Sequence, residues 1–356
     1  MTLYRRLGIE VPIIQAPMAG VATPALAAAV SNVGGLGSLG LGASSVSAAV
    51  KMIHEVRQVT DRPFGVNLFV HETPMRDVVR ERAWLDVLAP FFAENGMAAP
   101  QELGVPYTSF RDDPDMLAML LELRPPVVSF HFGLPSADIV SALKGAGIVL
   151  LATATNPVEA QAIAEAGMDM VIAQGIEAGG HRGMFDPDAP DDEVTTAVLT
   201  RRLGREAKMP VIAAGGLMDG AGVVSVLKLG AVAAQLGTAF IGCVESAADE
   251  GYRTALAGPG AEHTRMTRLI SGRPARALAN RFTQMDTNGV SPPVYPVAYD
   301  AGKALHAAAR KHGEQGFGAH WAGQGAPLCR FQPAAHLMKT LIEEMRAAGW
   351  KDAVVS

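Results

Sequence analysis

Short, near-continuous apolar runs alternate with amphipathic segments through most of this chain. Eight runs are β-prone, at residues 13–18, 35–39, 64–69, 127–132, 148–153, 170–174, 210–215 and 232–238. They lack the polar alternation of a half-exposed strand, so each predicts a strand covered on both faces. Between them the apolar positions take helical spacing, at 24–33, 45–59, 115–123, 136–146, 157–166, 194–207 and 220–229. Thr23-Pro24, Asn156-Pro157 and Asp219-Gly220 supply helix-start chemistry at three of these. Strand then helix, eight times over, predicts a parallel (β/α)8 TIM barrel. An open doubly wound sheet is the alternative.

Two stretches break the rhythm. Residues 71–110 follow the third strand and contain a helical pattern at 75–94. Residues 245–316 follow the eighth strand, with helical patterns at 247–257 and 300–311 around the patch Ser291-Pro292-Pro293. The chain then returns through 317–324 to a last helix at 333–348. The expected organisation is a barrel of residues 1–244 and 317–356, and a smaller substrate or lid domain of 245–316. Both insertions leave the C-terminal ends of strands, the face on which such barrels carry their active sites.

Composition narrows the function classes. The chain is 49% hydrophobic and 18% charged over 356 residues, enough for a large core. A formal net charge of −5 without a basic stripe argues against nucleic acid and anionic membrane surfaces. The most apolar window, 22–41, is broken by Pro24, Ser31, Asn32 and glycines, and reads as a buried helix plus strand rather than a membrane span. The N-terminus lacks a signal-type apolar core. Cys243 and Cys329 have no metal-ligand spacing, so free thiols in a reducing cytoplasm are expected. Asp186, Asp188, Asp191, Asp192 and Glu193 lack the glycine and terminal glutamate of a calcium loop. They suit the start of a helix, and no metal is expected. A monomer or small homo-oligomer is expected.

Candidate chemistry gathers at the strand ends. QGIEAGGHRG (174–183) puts Gln174, His181 and four glycines beyond the sixth strand. Glycine permits positive φ and close backbone approach to a ligand, and histidine moves protons near neutral pH. Ala213-Ala214-Gly215-Gly216 and Gln235-Leu236-Gly237-Thr238 end strands seven and eight, where these barrels bind phosphate. Asn67 and Gln174 carry amides that suit the N–H and carbonyl edge of a flavin ring, or serve as structural fillers. Gly35-Leu36-Gly37-Ser38-Leu39-Gly40 satisfies G-x-G-x-x-G, but its glycines lie within a strand that follows a helix. Close packing of the second strand explains it better than a dinucleotide fold. Of five tyrosines, Tyr107, Tyr252, Tyr295 and Tyr299 fall in the insertions. With His131 and Lys303 they would make a pocket for a small anion.

These segments resemble a known family. Gln15-Ala16-Pro17-Met18, GGLGSLG, Gly65-Val66-Asn67-Leu68-Phe69, Ser129-Phe130-His131-Phe132-Gly133, QGIEAGGHRG, AAGG, QLGT and Trp321-Ala322-Gly323-Gln324-Gly325 are similar, in order, to class I nitronate monooxygenases, formerly 2-nitropropane dioxygenases. The resemblance runs from about residue 3 to 345. It implies non-covalent FMN over the barrel mouth and oxidation of alkyl nitronates, such as propionate 3-nitronate, by O2. Carbonyl compounds plus nitrite or nitrate would form without NAD(P)H. Asn67, Gln174, Gly179, Gly216, Gln235, Leu236, Gly237 and Thr238 match FMN contacts, with Met18, Gly180, Gly215 and Gln324 as additional ones. His181 matches the catalytic histidine. Tyr107, His131, Tyr252, Tyr295, Tyr299 and Lys303 match substrate-pocket residues. An FMN-dependent enoyl-thioester reductase using NAD(P)H is the alternative, and a non-redox barrel with the same phosphate cradle a further one.

Overall fold

The computed structural model describes residues 3–351. Its strands are β1 (Ile13–Gln15), β2 (Gly37–Gly40), β3 (Phe64–Phe69), β4 (Val127–His131), β5 (Val149–Ala154), β6 (Met170–Gln174), β7 (Gly180–His181), β8 (Val211–Ala214), β9 (Ala233–Leu236), β10 (Thr264–Thr267) and β11 (Ala275–Leu278). Eight form one parallel sheet in the order β1-β9-β8-β6-β5-β4-β3-β2. Its two ends meet. Ile14 bridges Leu36, the Gln15 N–H donates to the Leu36 carbonyl at 2.9 Å, and the Leu36 N–H donates to the Ile13 carbonyl at 3.0 Å. The sheet closes, so the fold is a (β/α)8 TIM barrel and not an open sheet.

Residue parity explains both layers of the core. Ile14, Val127, Leu151, Met170, Ile172, Ile212 and Ala233 come from six strands and pack in one buried cluster with Tyr4, Leu7 and Ile9 of the N-terminal segment. Side chains converging from six strands of a closed sheet fill its interior. The alternate residues Val128, Phe130, Leu150, Ala152, Val171 and Ala173 join a second cluster with helix residues such as Ile53, Leu120, Leu143 and Leu199.

The helices are α1 (Pro24–Asn32), α2 (Val46–Val59), α3 (Val78–Glu94), α4 (Pro114–Leu123), α5 (Ala137–Gly145), α6 (Pro157–Glu165), α7 (Thr196–Glu206), α8 (Gly220–Leu229), α9 (Thr238–Ile241), α10 (Glu250–Ala257), α11 (Val297–Arg310) and α12 (Ala334–Ala347). The expected caps form. The Thr23 hydroxyl accepts from Leu26 N at 3.0 Å, Asn156 Oδ1 from Glu159 N at 2.9 Å and Asp219 Oδ1 from Gly222 N at 2.7 Å. Each such cap is worth about 1 kcal/mol. The G-x-G-x-x-G segment is a packing device. A Cβ on Gly37 would stand 1.8 Å from the Ala27 carbonyl oxygen, so α1 lies directly on β2.

Beyond the strand ends, α3 and α11 share an apolar cluster. Trp84, Leu85, Leu88 and Phe92 meet Val297, Ala301, Leu305 and Ala308, with Phe282 and Phe317 completing it. The stretch after β3 and the stretch after β9 are therefore packed together. A small antiparallel sheet, β10-β11-β7, joins the stretch after β9 to the loop after β6. The hydrophobic pattern does not predict this sheet: β7 has two residues, and β11 is buried only by its tertiary partners.

Candidate active site

A cavity of about 650 Å³ opens where the barrel strands end, a volume suited to a cofactor or drug-sized ligand. Strand-end residues Gly40, Asn67, Phe69, His131, Gln174, Ala214 and Gln235 line it, roofed by Tyr107, Tyr252, Tyr295, Tyr299, Lys303 and Trp321. Met18, Thr153, Gly179, Gly180, His181, Gly215, Gly216, Gly237 and Thr238 also line it. Of the residues the sequence singled out, two do not. The Leu236 side chain is buried among Ile13, Leu26 and Phe240, and its carbonyl is taken by Ala16 N. Gln324 is exposed, with its N–H given to the Glu177 carbonyl at 2.9 Å.

His181 is held from two sides. As part of β7 it pairs with Ala275 of β11, and the next residue, Arg182, donates its N–H to the Pro274 carbonyl. From the barrel, Gln174 Nε2 donates to the His181 carbonyl at 3.0 Å, and His131 Nε2 lies 3.1 Å from the same oxygen. A carbonyl only accepts, so His131 carries its hydrogen on Nε2. His131 Nδ1 then accepts from the Thr153 hydroxyl at 3.0 Å. Gln174 Oε1 accepts from Gly183 N at 2.8 Å. Both ends of the Gln174 amide are thus committed to shaping the loop that carries His181. Asn67 Nδ2 is engaged likewise, donating to the Ser129 hydroxyl at 2.9 Å and carbonyl at 3.1 Å.

Arg182 completes the support. It is almost wholly buried, forks onto Asp191 at 2.7 and 2.9 Å and donates to the Gln174 carbonyl. Asp191, from the acidic stretch, is therefore an ion-pair partner. Among the described residues no group of three or more His, Cys, Asp or Glu could hold a metal, and no helix is long and apolar enough to cross a membrane.

The glycines of the loop divide by task. A Cβ on Gly175 would strike Thr196, on Gly179 the backbone of Ala322 and Gly323, and on Gly183 the Thr153 side chain, all within 2.5 Å. These three admit neighbouring protein. Gly180, at φ +75°, has nothing nearer than Trp321 Cβ at 4.0 Å and presents bare backbone to the cavity. Gly237 is similarly open, with Ala16 Cβ at 3.5 Å.

The His181 ring stands in an aromatic box. Its centroid is 5.0 Å from Trp321, 5.4 Å from Tyr295, 5.6 Å from Phe132 and 6.2 Å from Tyr299. Burial drives His181 down to about 3 and His131 to about 4; both are neutral at pH 7. His181 Nε2 meets the Ser271 hydroxyl at 2.9 Å, and that hydroxyl also reaches the Arg273 carbonyl at 3.2 Å. A serine has one hydrogen to give, and only the carbonyl requires it. Nε2 therefore donates to Ser271, leaving Nδ1 with a free lone pair.

Other groups have settled duties. The Tyr252 hydroxyl donates to the Trp321 carbonyl, and Trp321 Nε1 donates to the Tyr299 hydroxyl at 3.2 Å. Lys303 Nζ lies 4.3 Å from the Tyr107 ring centroid and 5.3 Å from that of Tyr299, with no carboxylate in contact among the described residues. Burial pushes its pKa down. Phe132 holds φ +77° just past β4, a conformation costing a bulky residue about 1–3 kcal/mol. It turns the ring toward His181. Ser271, Arg273 and Phe132 were not singled out from the sequence as site residues. Of these only Phe132, inside the Ser129–Gly133 motif, left a signal there.

Residues 2–344 match the model of the nitronate monooxygenase family. A nitronate monooxygenase of Paraburkholderia phytofirmans is 58% identical over 342 residues, 96% of this chain and 93% of that one. One of Pseudomonas aeruginosa is 54% identical over 344 residues, 96% and 98% of the two chains. A solved nitroalkane oxidase from Streptomyces ansochromogenes superimposes with a TM-score of 0.88 at 40% identity, covering 97% of this chain and 99% of the other. With the family model matched along nearly its whole length and curated relatives more than half identical, this chain belongs to the nitronate monooxygenases.

Proposed function

We propose that this protein oxidises alkyl nitronates of the propionate 3-nitronate type, with bound FMN and O2 and without NAD(P)H. A carbonyl compound and nitrite or nitrate are the products. The observation that carries this reading is a single cavity that joins His181 to Lys303, which has no carboxylate in contact among the described residues, among four tyrosines. The names of the relatives point the same way, to nitronates and nitroalkanes.

The residues present fit a flavin mononucleotide. Gly180 and Gly237 leave bare backbone at the cavity wall, where a flat ring or a phosphate needs it. Gly215 and Gly216, at φ +127° and +67°, turn the chain after β8, and Gly237 and Thr238 do so after β9. These two turns would hold the phosphate, while Met18, Asn67, Gln174, Gly179 and Gly180 would border the ring. When bound, the flavin supplies the electron-accepting ring.

The chain's own groups bind, orient and exclude water. Lys303 neutralises a substrate carboxylate, with the Tyr107 and Tyr299 phenols beside it. Phe132, Tyr295 and Trp321 keep water from the His181 ring. With a neutral nitroalkane, Nδ1 of His181 takes the α-proton. A base so far depressed is a weak one near pH 7, so a preformed nitronate, needing no deprotonation, is the favoured substrate. His181→Asn tests the role. Turnover of any nitroalkane should fall by about 10²–10⁴-fold, with a much smaller loss on the nitronate. Equal losses on both would refute a base role.

A further inference from the structure

Arg273 is a buried cation with no ion pair among the described residues. The residue is 3% exposed, and its guanidinium carbon lies 4.2 Å from the centroid of the Phe132 ring. It donates through Nη2 to the Met184 carbonyl and, at 3.3 Å, to that of Phe185. Nε has no partner, and no carboxylate approaches within ion-pair distance among the described residues. The carboxylates whose charge acts on it are Glu159 and Asp186, neither in ion-pair contact. Glu159 is already committed to Thr155 and to the Phe185 N–H. Buried charges are ordinarily paired, because an uncompensated one is costly. The same Phe132 ring meets His181 and Tyr295, at 5.6 and 5.3 Å between centroids.

We propose that Arg273 is a specificity-determining residue, whose standing positive charge makes the His181 end of the cavity select planar anions over neutral molecules of the same shape. The proposal rests on the nitronate reading only for the identity of the natural anion. Arg273 does not itself line the cavity; it acts through space past the Phe132 ring, and a nitronate, carboxylate or nitrite-like group would bring a negative charge toward it. Lys303, on α11 beside Tyr107 and Tyr299, lines the cavity itself. Burial, with Arg273 adding to it, holds His71, His131 and His181 neutral, and Arg182 is paired with Asp191, so Arg273 stands as an unpaired fixed charge at this end among the described residues. A unit charge on the order of 10 Å away, at an effective dielectric of about 20, changes anion affinity by roughly ten-fold or more.

Propionate and nitroethane separate charge from shape, since a carboxylate replaces a nitro group of equal size. Calorimetric titration of the protein as purified should give propionate an affinity at least ten-fold above that of nitroethane. Arg273→Met should remove most of that difference by weakening propionate alone, and Arg273→Lys should retain it. Arg273→Gln keeps a donor for the Met184 carbonyl and replaces the methionine variant if that one fails to fold. Equal binding of the two ligands by the unmodified protein would overturn the proposal whatever the variants do. Equal weakening of both ligands in Arg273→Met, or no weakening of either, would also overturn it. Failure of nitronate turnover would instead strike the proposed reaction and leave this comparison intact.

Discussion

At the scale of single residues, the site depends on where two histidines keep their hydrogens. His131 spends its Nε2 hydrogen on the His181 carbonyl, and His181 spends its own on Ser271. Ser271→Ala would leave a buried imidazole N–H without an acceptor, a loss of about 1–3 kcal/mol. Denaturant unfolding should register it. Nitrogen NMR of the imidazoles should show His181 as the Nε2–H form in the unmodified protein and as a mixture in the variant. Ser271→Thr, which keeps the hydroxyl, should restore the single form. An unchanged tautomer in Ser271→Ala would remove the serine from this role. None of this was visible in the sequence. Ser271 lies in a segment without periodicity, and its partner is 90 positions away.

At the scale of elements, the loop after β6 is shaped by what packs against it. Gly179 admits the backbone of Ala322 and Gly323, which brings Trp321 over His181. A Cβ there would lie 2.4 Å from Gly323 N, and backbone cannot yield as a side-chain tip can. Gly179→Ala should therefore lower the melting temperature and weaken substrate binding, whereas Gly147→Ala, with open space around it and a φ of +81°, tests backbone strain alone. Weak substrate binding in both variants alike would put the effect down to general destabilisation. The glycine-rich motif was legible as a loop at the mouth of the barrel, yet its glycines serve protein contacts more often than open backbone. The eight barrel strands were legible because burial on both faces leaves an unbroken apolar run. The three strands of the small sheet were not. Two residues of β7 have no period, and the buried arginine Arg276 in β11 contradicts the composition of a covered strand.

At the scale of the molecule, burial of imidazoles sets a pH dependence. Burial lowers His71, His131 and His320 to about 4 and His181 to about 3, against 6.5 for a free imidazole. The unfolded chain binds these protons below about pH 6.5, and the folded chain refuses them. Stability is therefore full above that pH and is lost progressively as pH falls toward about 4, each histidine adding up to about 1.4 kcal/mol per pH unit. Urea midpoints should drop steeply between pH 7 and pH 5. A flat profile would mean that these rings reach water or a proton acceptor.

The central claim is that the cavity under His181 turns over a nitronate with a bound flavin and molecular oxygen alone. Oxygen uptake by the purified protein with propionate 3-nitronate, in buffer free of NADH and NADPH, measures it most directly. Rapid uptake with nitrite or nitrate accumulating is the predicted result. No uptake until a reduced nicotinamide is added, or none at all, would contradict the account.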